Sequence, residues 1–157
     1  MAANSNNPHS TASIAGHPIH PMLIPFPLAF FVATFACDVA FLITGSTGFV
    51  TATEWLLAAG LIMGALAALT GLTDVLGDRQ IRHLNVAWLH AGGNIAVVLI
   101  EAYNWYSRYA YGPPGVIPIG IILSGVVVLI LLFTGWKGWE MVYRHRVGVA
   151  DDQHVVR

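Results

Sequence analysis

The stretch GHPIHPMLIPFP, residues 16–27, decides how this chain is read, because it sets two histidines at the head of a long apolar run. Pro18, Pro21, Pro25 and Pro27 interrupt or flank the start of that run, so its first turns are not expected to form an ordinary unbroken α-helix. Proline just inside a helix start is common, since its missing N–H would be unpaired there anyway. Two imidazoles, His17 and His20, beside exposed backbone carbonyls are less common and point toward ligand chemistry.

Outward from this stretch the composition is that of a membrane protein. Of 157 residues, 56% are hydrophobic and 10% charged, against about 25% charged in a typical soluble domain. Mean hydropathy is +0.67. A single lysine and six arginines, at a net charge of −1, leave no basic stripe for a phosphate backbone, so nucleic-acid binding is set aside. The lone Cys37 lies inside the first apolar run, where it reads as packing, and no disulfide framework or cysteine-based zinc site exists within one chain. Residues 1–15, rich in Asn, Ser, Thr and Ala without Lys or Arg, read as a disordered tail rather than a secretory signal, and residues 150–157 as a short C-terminal tail.

Between them, residues 16–149 carry four apolar stretches, about 22–44, 55–76, 84–105 and 116–136. Each approaches the about 20 residues that cross a hydrocarbon core, and in lipid each must be helical to satisfy its own backbone. The breaks at Gly45–Gly48, Gly77–Arg82 and Gly112–Gly115 are short, so successive spans run antiparallel. The expected fold is an all-α, integral membrane, up-down-up-down four-helix bundle with both termini on one side. Arg79, Arg82, Lys137, Arg144, Arg146 and Arg157 fall on the side of the termini and Arg108 alone on the other, which by the positive-inside rule puts both termini in the cytoplasm. Small residues, notably Gly60 and Gly64 in a GxxxG element and Gly92–Gly93 in the third span, let helices approach closely, either inside the bundle or between two chains of a homodimer.

Antiparallel threading brings residues far apart in sequence to one depth. His17, His20, Asp74, His83, His90, Glu140 and His145 all belong to the half of the bundle near the termini. His83 and His90, seven apart, are expected on nearly one helix face. An ionisable group such as His90 inside a span is a functional hypothesis by default; the bland reading is a neutral ring bonded to Asn94, Thr70 or a carbonyl. Two chemistries suit the cluster. Two imidazoles from different helices, His20 and His90, with His17 or His83 as substitutes, would be axial ligands of a b-type haem, with Arg79, Arg82 or Arg144 near the propionates and Gly92–Gly93 opening a slot. Alternatively His17, His20, Asp74 and His90 would gather a divalent transition metal such as zinc, copper or iron. At the other end Asp38 and Glu101 lie at similar depth, where a carboxyl is expected to be protonated or paired with Arg108, Tyr103 or Asn104, or to form a proton or cation relay toward the histidines.

The double-His opening, Gly71-Leu72-Thr73-Asp74, His90 and the closing Tyr143-Arg144-His145-Arg146 together resemble the bacterial membrane family catalogued as domain of unknown function 2231, over roughly residues 16–149. The resemblance implies a small four-span protein of the inner membrane and no established activity. Family members usually carry a Gly-Gly-Glu turn where this chain has Gly138-Trp139-Glu140. Some relatives look joined to iron–sulfur domains, which favours membrane electron transfer with a quinone or a membrane redox partner. Three function classes follow: a haem or metal redox protein, a proton or metal-ion transporter, and a structural or assembly subunit without a cofactor. Hydrolysis is set aside, because no nucleophile, base and orienting group fall in one membrane half.

Overall fold

A computed structural model describes residues 7–150 of the chain. After an irregular start, β1 (Ser13–Ile14) and β2 (His17–Pro18) form a minimal antiparallel hairpin, pairing Ser13 with Pro18 and Ile14 with His17. Then follow α1 (Ile19–Leu23), α2 (Pro25–Thr44), α3 (Thr47–Gly77), α4 (Arg79–Arg82), α5 (Asn85–Tyr111), α6 (Pro113–Gly115), a π-helical segment at Val116–Gly120, and α7 (Ile121–Tyr143).

The prolines act at the first span as expected, but the break is confined to one residue. Pro18 is extended and caps α1, Pro21 occupies its first turn, and Pro25 begins α2, so two helix starts stand end to end around Ile24. Each proline falls where an N–H would lack an intrahelical partner or is forgone at little cost. The Ile24 N–H still donates to His20 O at 3.2 Å, and the whole of Ile19–Thr44 reads as one span.

Four helical runs are long and apolar enough to cross a membrane: Ile19–Thr44, Thr47–Gly77, Asn85–Tyr111 and Pro113–Tyr143. All exceed the lengths read from hydropathy alone. The second begins before Trp55, at Thr47, and the third runs past Trp105 to Tyr111. Helices continue through the interfacial zone, where polar and aromatic residues replace aliphatic ones without any loss of backbone bonding. The fourth is kinked at Ile117, whose φ and ψ are extended.

Around the bundle α2 packs on α3, α3 on α5, α5 on α7 and α7 on α2, which leaves α2 and α5 diagonally opposed. The middle layer is apolar: Phe31, Leu57, Val97, Val127 and Leu131, drawn from all four helices. Gly60 and Gly64 are spent inside it. A Cβ at Gly60 would sit 2.5 Å from the Phe31 ring, and one at Gly64 3.4 Å from Val98, so this GxxxG element seats neighbouring helices of the same chain. The alternative use expected for it, pairing two chains, does not match this geometry.

The expected disordered tail differs from the structure over its described part. The Ala12 N–H donates to Asp74 Oδ1 at 2.8 Å, Ser10 Oγ donates to the same carboxylate, and the His9 N–H donates to Asp78 Oδ2 at 2.7 Å. Two carboxylates at the end of α3 thus hold residues 9–12 across the bundle's terminal end. Residues 1–6 and 151–157, including most of the expected C-terminal tail, lie outside the described residues.

Candidate functional site

His20, the second residue of α1, projects from the head of the first span onto α3. Its Nδ1 donates to the Ala67 carbonyl at 2.7 Å, and the ring lies against Gly71, where a Cβ would be 2.8 Å from Nδ1. His90, in the second turn of α5, is held by α7. Its Nδ1 donates to the Thr134 carbonyl at 2.8 Å, and its Cε1 lies 3.2 Å from where a Cβ of Gly138 would be. A carbonyl oxygen only accepts, so both Nδ1 atoms carry hydrogen, and in the neutral ring Nε2 is then the nitrogen with the lone pair. Orientation of an imidazole by a carbonyl on its far nitrogen is the usual support of a metal-binding histidine.

The two rings meet. Their centroids are 6.0 Å apart at an interplanar angle of 82°, although the residues lie on diagonally opposed helices and far apart in sequence. His20 and His90 would be the protein groups that hold a metal ion or haem iron at this end. Asn94 closes the site: its Nδ2 donates to His90 O at 2.8 Å and lies 3.2 Å from His90 Nε2, while its Oδ1 accepts from Thr134 Oγ1 at 3.3 Å.

The other residues expected here do not join them. His17 is exposed and turns back on its own hairpin, with Nδ1 3.0 Å from Ala15 O. Asp74 is occupied by residues 10–12. The four-ligand set His17, His20, Asp74 and His90 therefore does not assemble, and among the described residues no group of three or more His, Cys, Asp and Glu is positioned to hold an ion. His83 caps α4, ahead of α5, and is exposed, so it shares no helix face with His90. Arg79 and Arg82 are exposed on α4 at this end. Gly93 offers no slot, because Thr134 Cγ2 fills the space a Cβ would take, and Gly92 faces outward with nothing within 4 Å.

At the opposite end a second polar cluster spans the same diagonal. Arg108 of α5 grips Asp38 of α2 through both terminal nitrogens, with Nη2 2.8 Å from Oδ2. Its Nε donates to Asn104 Oδ1 at 3.1 Å and its Nη2 also to Ser124 Oγ at 3.1 Å. Asn104 Nδ2 donates in turn to Glu101 Oε2 at 2.8 Å and to Ser124 Oγ at 3.0 Å. All five residues have 0% exposure. Arg108, which hydropathy places beyond the third span, is thus a core residue, and its pairing with Asp38 is among those the sequence suggested, whereas Ser124 was not among the expected residues. The signals were the i, i+3, i+7 spacing of Glu101, Asn104 and Arg108 on one helix face, and a lone serine in the apolar first half of α7.

Glu101 and His90 stand eleven residues apart on α5, about 16 Å along its axis. The layer of Phe31, Leu57 and Val97 occupies the middle of the bundle. The relay expected from Asp38 and Glu101 to the histidines has no chain of hydrogen bonds to follow among the described residues, and Asp38 is engaged by Arg108 instead.

Searches of curated proteins and of solved structures find no match to this chain. A family model does match it, over residues 16–151, from the glycine preceding His17 to beyond the last span, and the chain belongs to that family, described as "Predicted membrane protein (DUF2231)".

Proposed function

We propose that this protein is a membrane electron carrier of the bacterial inner membrane that binds a b-type haem between His20 and His90. The observation that carries the reading is the pair itself: two imidazoles, each with Nδ1 bonded to a carbonyl of a neighbouring helix, with ring centroids 6.0 Å apart and, among the described residues, no third ligand. The ligand count separates the candidates. A structural zinc site requires four protein ligands and a catalytic one three, whereas a porphyrin brings four nitrogens and asks the protein for two.

The donor set suits that group. Gly71 and Gly138 leave room for the two rings where any side chain would displace them. Ala67 and Thr134 fix the ring orientation, and Asn94 must release His90 Nε2 for ligation. Arg79 and Arg82 supply positive charge at the same end for the propionates. Haem held there would supply a one-electron couple, and a quinone or a membrane redox partner would exchange electrons with it. The burial of Arg108 sharpens the orientation argument: every other Lys and Arg of the described residues lies near the terminal end, in keeping with cytoplasmic termini.

One observation favours a structural reading: Asn94 already meets His90 Nε2, so that ring has a partner at both nitrogens without any cofactor. An absorption spectrum of protein purified from haem-replete cells distinguishes the two. The expected result is a Soret band that shifts on reduction and is lost in His20→Ala and His90→Ala variants that remain folded. A colourless protein that also fails to bind added haemin overturns the proposal.

A further inference from the structure

Independently of the histidine pair, the opposite cluster contains an imbalance. It buries two carboxyls and one guanidinium, all with 0% exposure. Asp38 is neutralised: both of its oxygens accept from Arg108. Glu101 is not. Its Oε2 accepts from Asn104, but Oε1 is buried without a hydrogen-bond partner, the only such side-chain atom among the described residues. Asn104 cannot turn to serve it, because its Oδ1 is fixed by Arg108 Nε and its Nδ2 faces Ser124. With both acids ionised the cluster carries a net −1 in the bundle core, an arrangement that low dielectric strongly penalises.

We propose that Glu101 is a proton-binding site, and that its carboxyl is held protonated so that the Asp38–Glu101–Arg108 cluster is neutral. The orphaned Oε1 marks where charge is missing. A proton is the ligand that fits, since a group with no exposed surface admits nothing bulky and a metal ion lacks further ligands here. Asp38 and Arg108 are the charged groups acting on Glu101, and Ser124 is the polar neighbour from α7. The proton count of the cluster is then set by neutrality: one bound proton while Asp38 and Arg108 are both present, none if Asp38 loses its charge, and two if Arg108 does.

Infrared difference spectroscopy of the full-length protein at neutral pH tests this through the C=O stretch of a protonated carboxyl, identified by its downshift in D2O. The wild type is expected to show one such band. Glu101→Gln, isosteric with the protonated acid, should fold with an unchanged unfolding temperature and lose the band. Asp38→Asn should lose it too, although Glu101 is intact, because Glu101 must then ionise against Arg108. A wild type without the band, or a band that persists in Glu101→Gln, overturns the proposal. If sodium titration instead raises the unfolding temperature of a band-free wild type and not of Glu101→Gln, the site binds a metal cation and the proton assignment is wrong.

Discussion

The two ends of the bundle use the same diagonal, α2 side to α5, for opposite purposes. At the arginine end every residue of the polar cluster is sealed from its surroundings, with the Arg108–Asp38 ion pair joined by neutral Asn104 and Ser124. At the histidine end the rings are only half-buried, their neighbours are neutral, and each has its Nδ1 on a carbonyl of a neighbouring helix. A sealed, ion-paired cluster ties α2, α5 and α7 together, whereas the half-buried pair of oriented imidazoles is where a ligand is proposed. The difference teaches that polar residues inside a membrane bundle must be read by what their partners leave over, and not by their mere presence.

The sharpest way to break this comparison is at Arg108. Arg108→Leu strands Asp38 and Glu101 in the core, and removing one partner of a buried pair costs about 3–5 kcal/mol. Unfolding in mixed micelles should register most of that loss, reduced to the extent that the unfolded state in lipid finds other partners for the acids. Removing Asp38 as well, in Asp38→Leu with Arg108→Leu, should recover a large part of it. Equal losses in the single and double variants would mean that shape, and not charge, governs this end.

Gly71→Val separates the ends. Its first new carbon would meet the His20 ring at 2.8 Å, and overpacking of this kind typically costs about 1–3 kcal/mol. The larger consequence is chemical: His20 must leave the Ala67 carbonyl, so the Soret band expected of the wild type should vanish in protein that still folds. Gly92→Ala is the control. With nothing within 4 Å of its Cβ position, it should leave both stability and spectrum unchanged.

How much of this was legible without coordinates differs between the ends for physical reasons. Hairpin threading fixes depth, so the common depth of His20 and His90 follows from antiparallel spans alone. Threading does not fix direction. His17 is three residues from His20 yet points outward, because the hairpin of Ser13–Pro18 ends before the helix begins. Asp74 has the chemistry of a ligand, but residues 10–12 take up its carboxylate. A segment rich in Asn, Ser and Thr resembles disorder by composition, yet its hydroxyls and free backbone N–H groups are the donors a helix-end carboxylate needs. Arg108 was misread by depth, since hydropathy ended the third span at Trp105, whereas the helix continues to Tyr111.

Asp74→Ala asks how far the histidine end depends on that cover. It removes the acceptor of the Ala12 N–H and of Ser10 Oγ, worth about 1–3 kcal/mol where a donor is left unpaired. The loss should be local. Hydrogen exchange at residues 9–12 is expected to accelerate while amides of α2 and α5 keep their protection, as befits a segment attached at its ends to a stable bundle. Acceleration throughout the bundle would instead make the N-terminal segment part of its cooperative core.

The smallest effect completes the contrast, because it removes the same formal charge as Asp38→Asn. Glu140 accepts from Lys137 at 2.9 Å and from Arg144 at 3.4 Å, so by count of partners it is as well paired as Asp38. Its cations, however, remain in contact with solvent, which hydrates them once the carboxylate is gone, and ion pairs at such positions contribute little. Glu140→Gln should therefore leave the unfolding temperature unchanged within error, while Asp38→Asn lowers it clearly. If the two variants behaved alike, burial would not be what distinguishes these pairs.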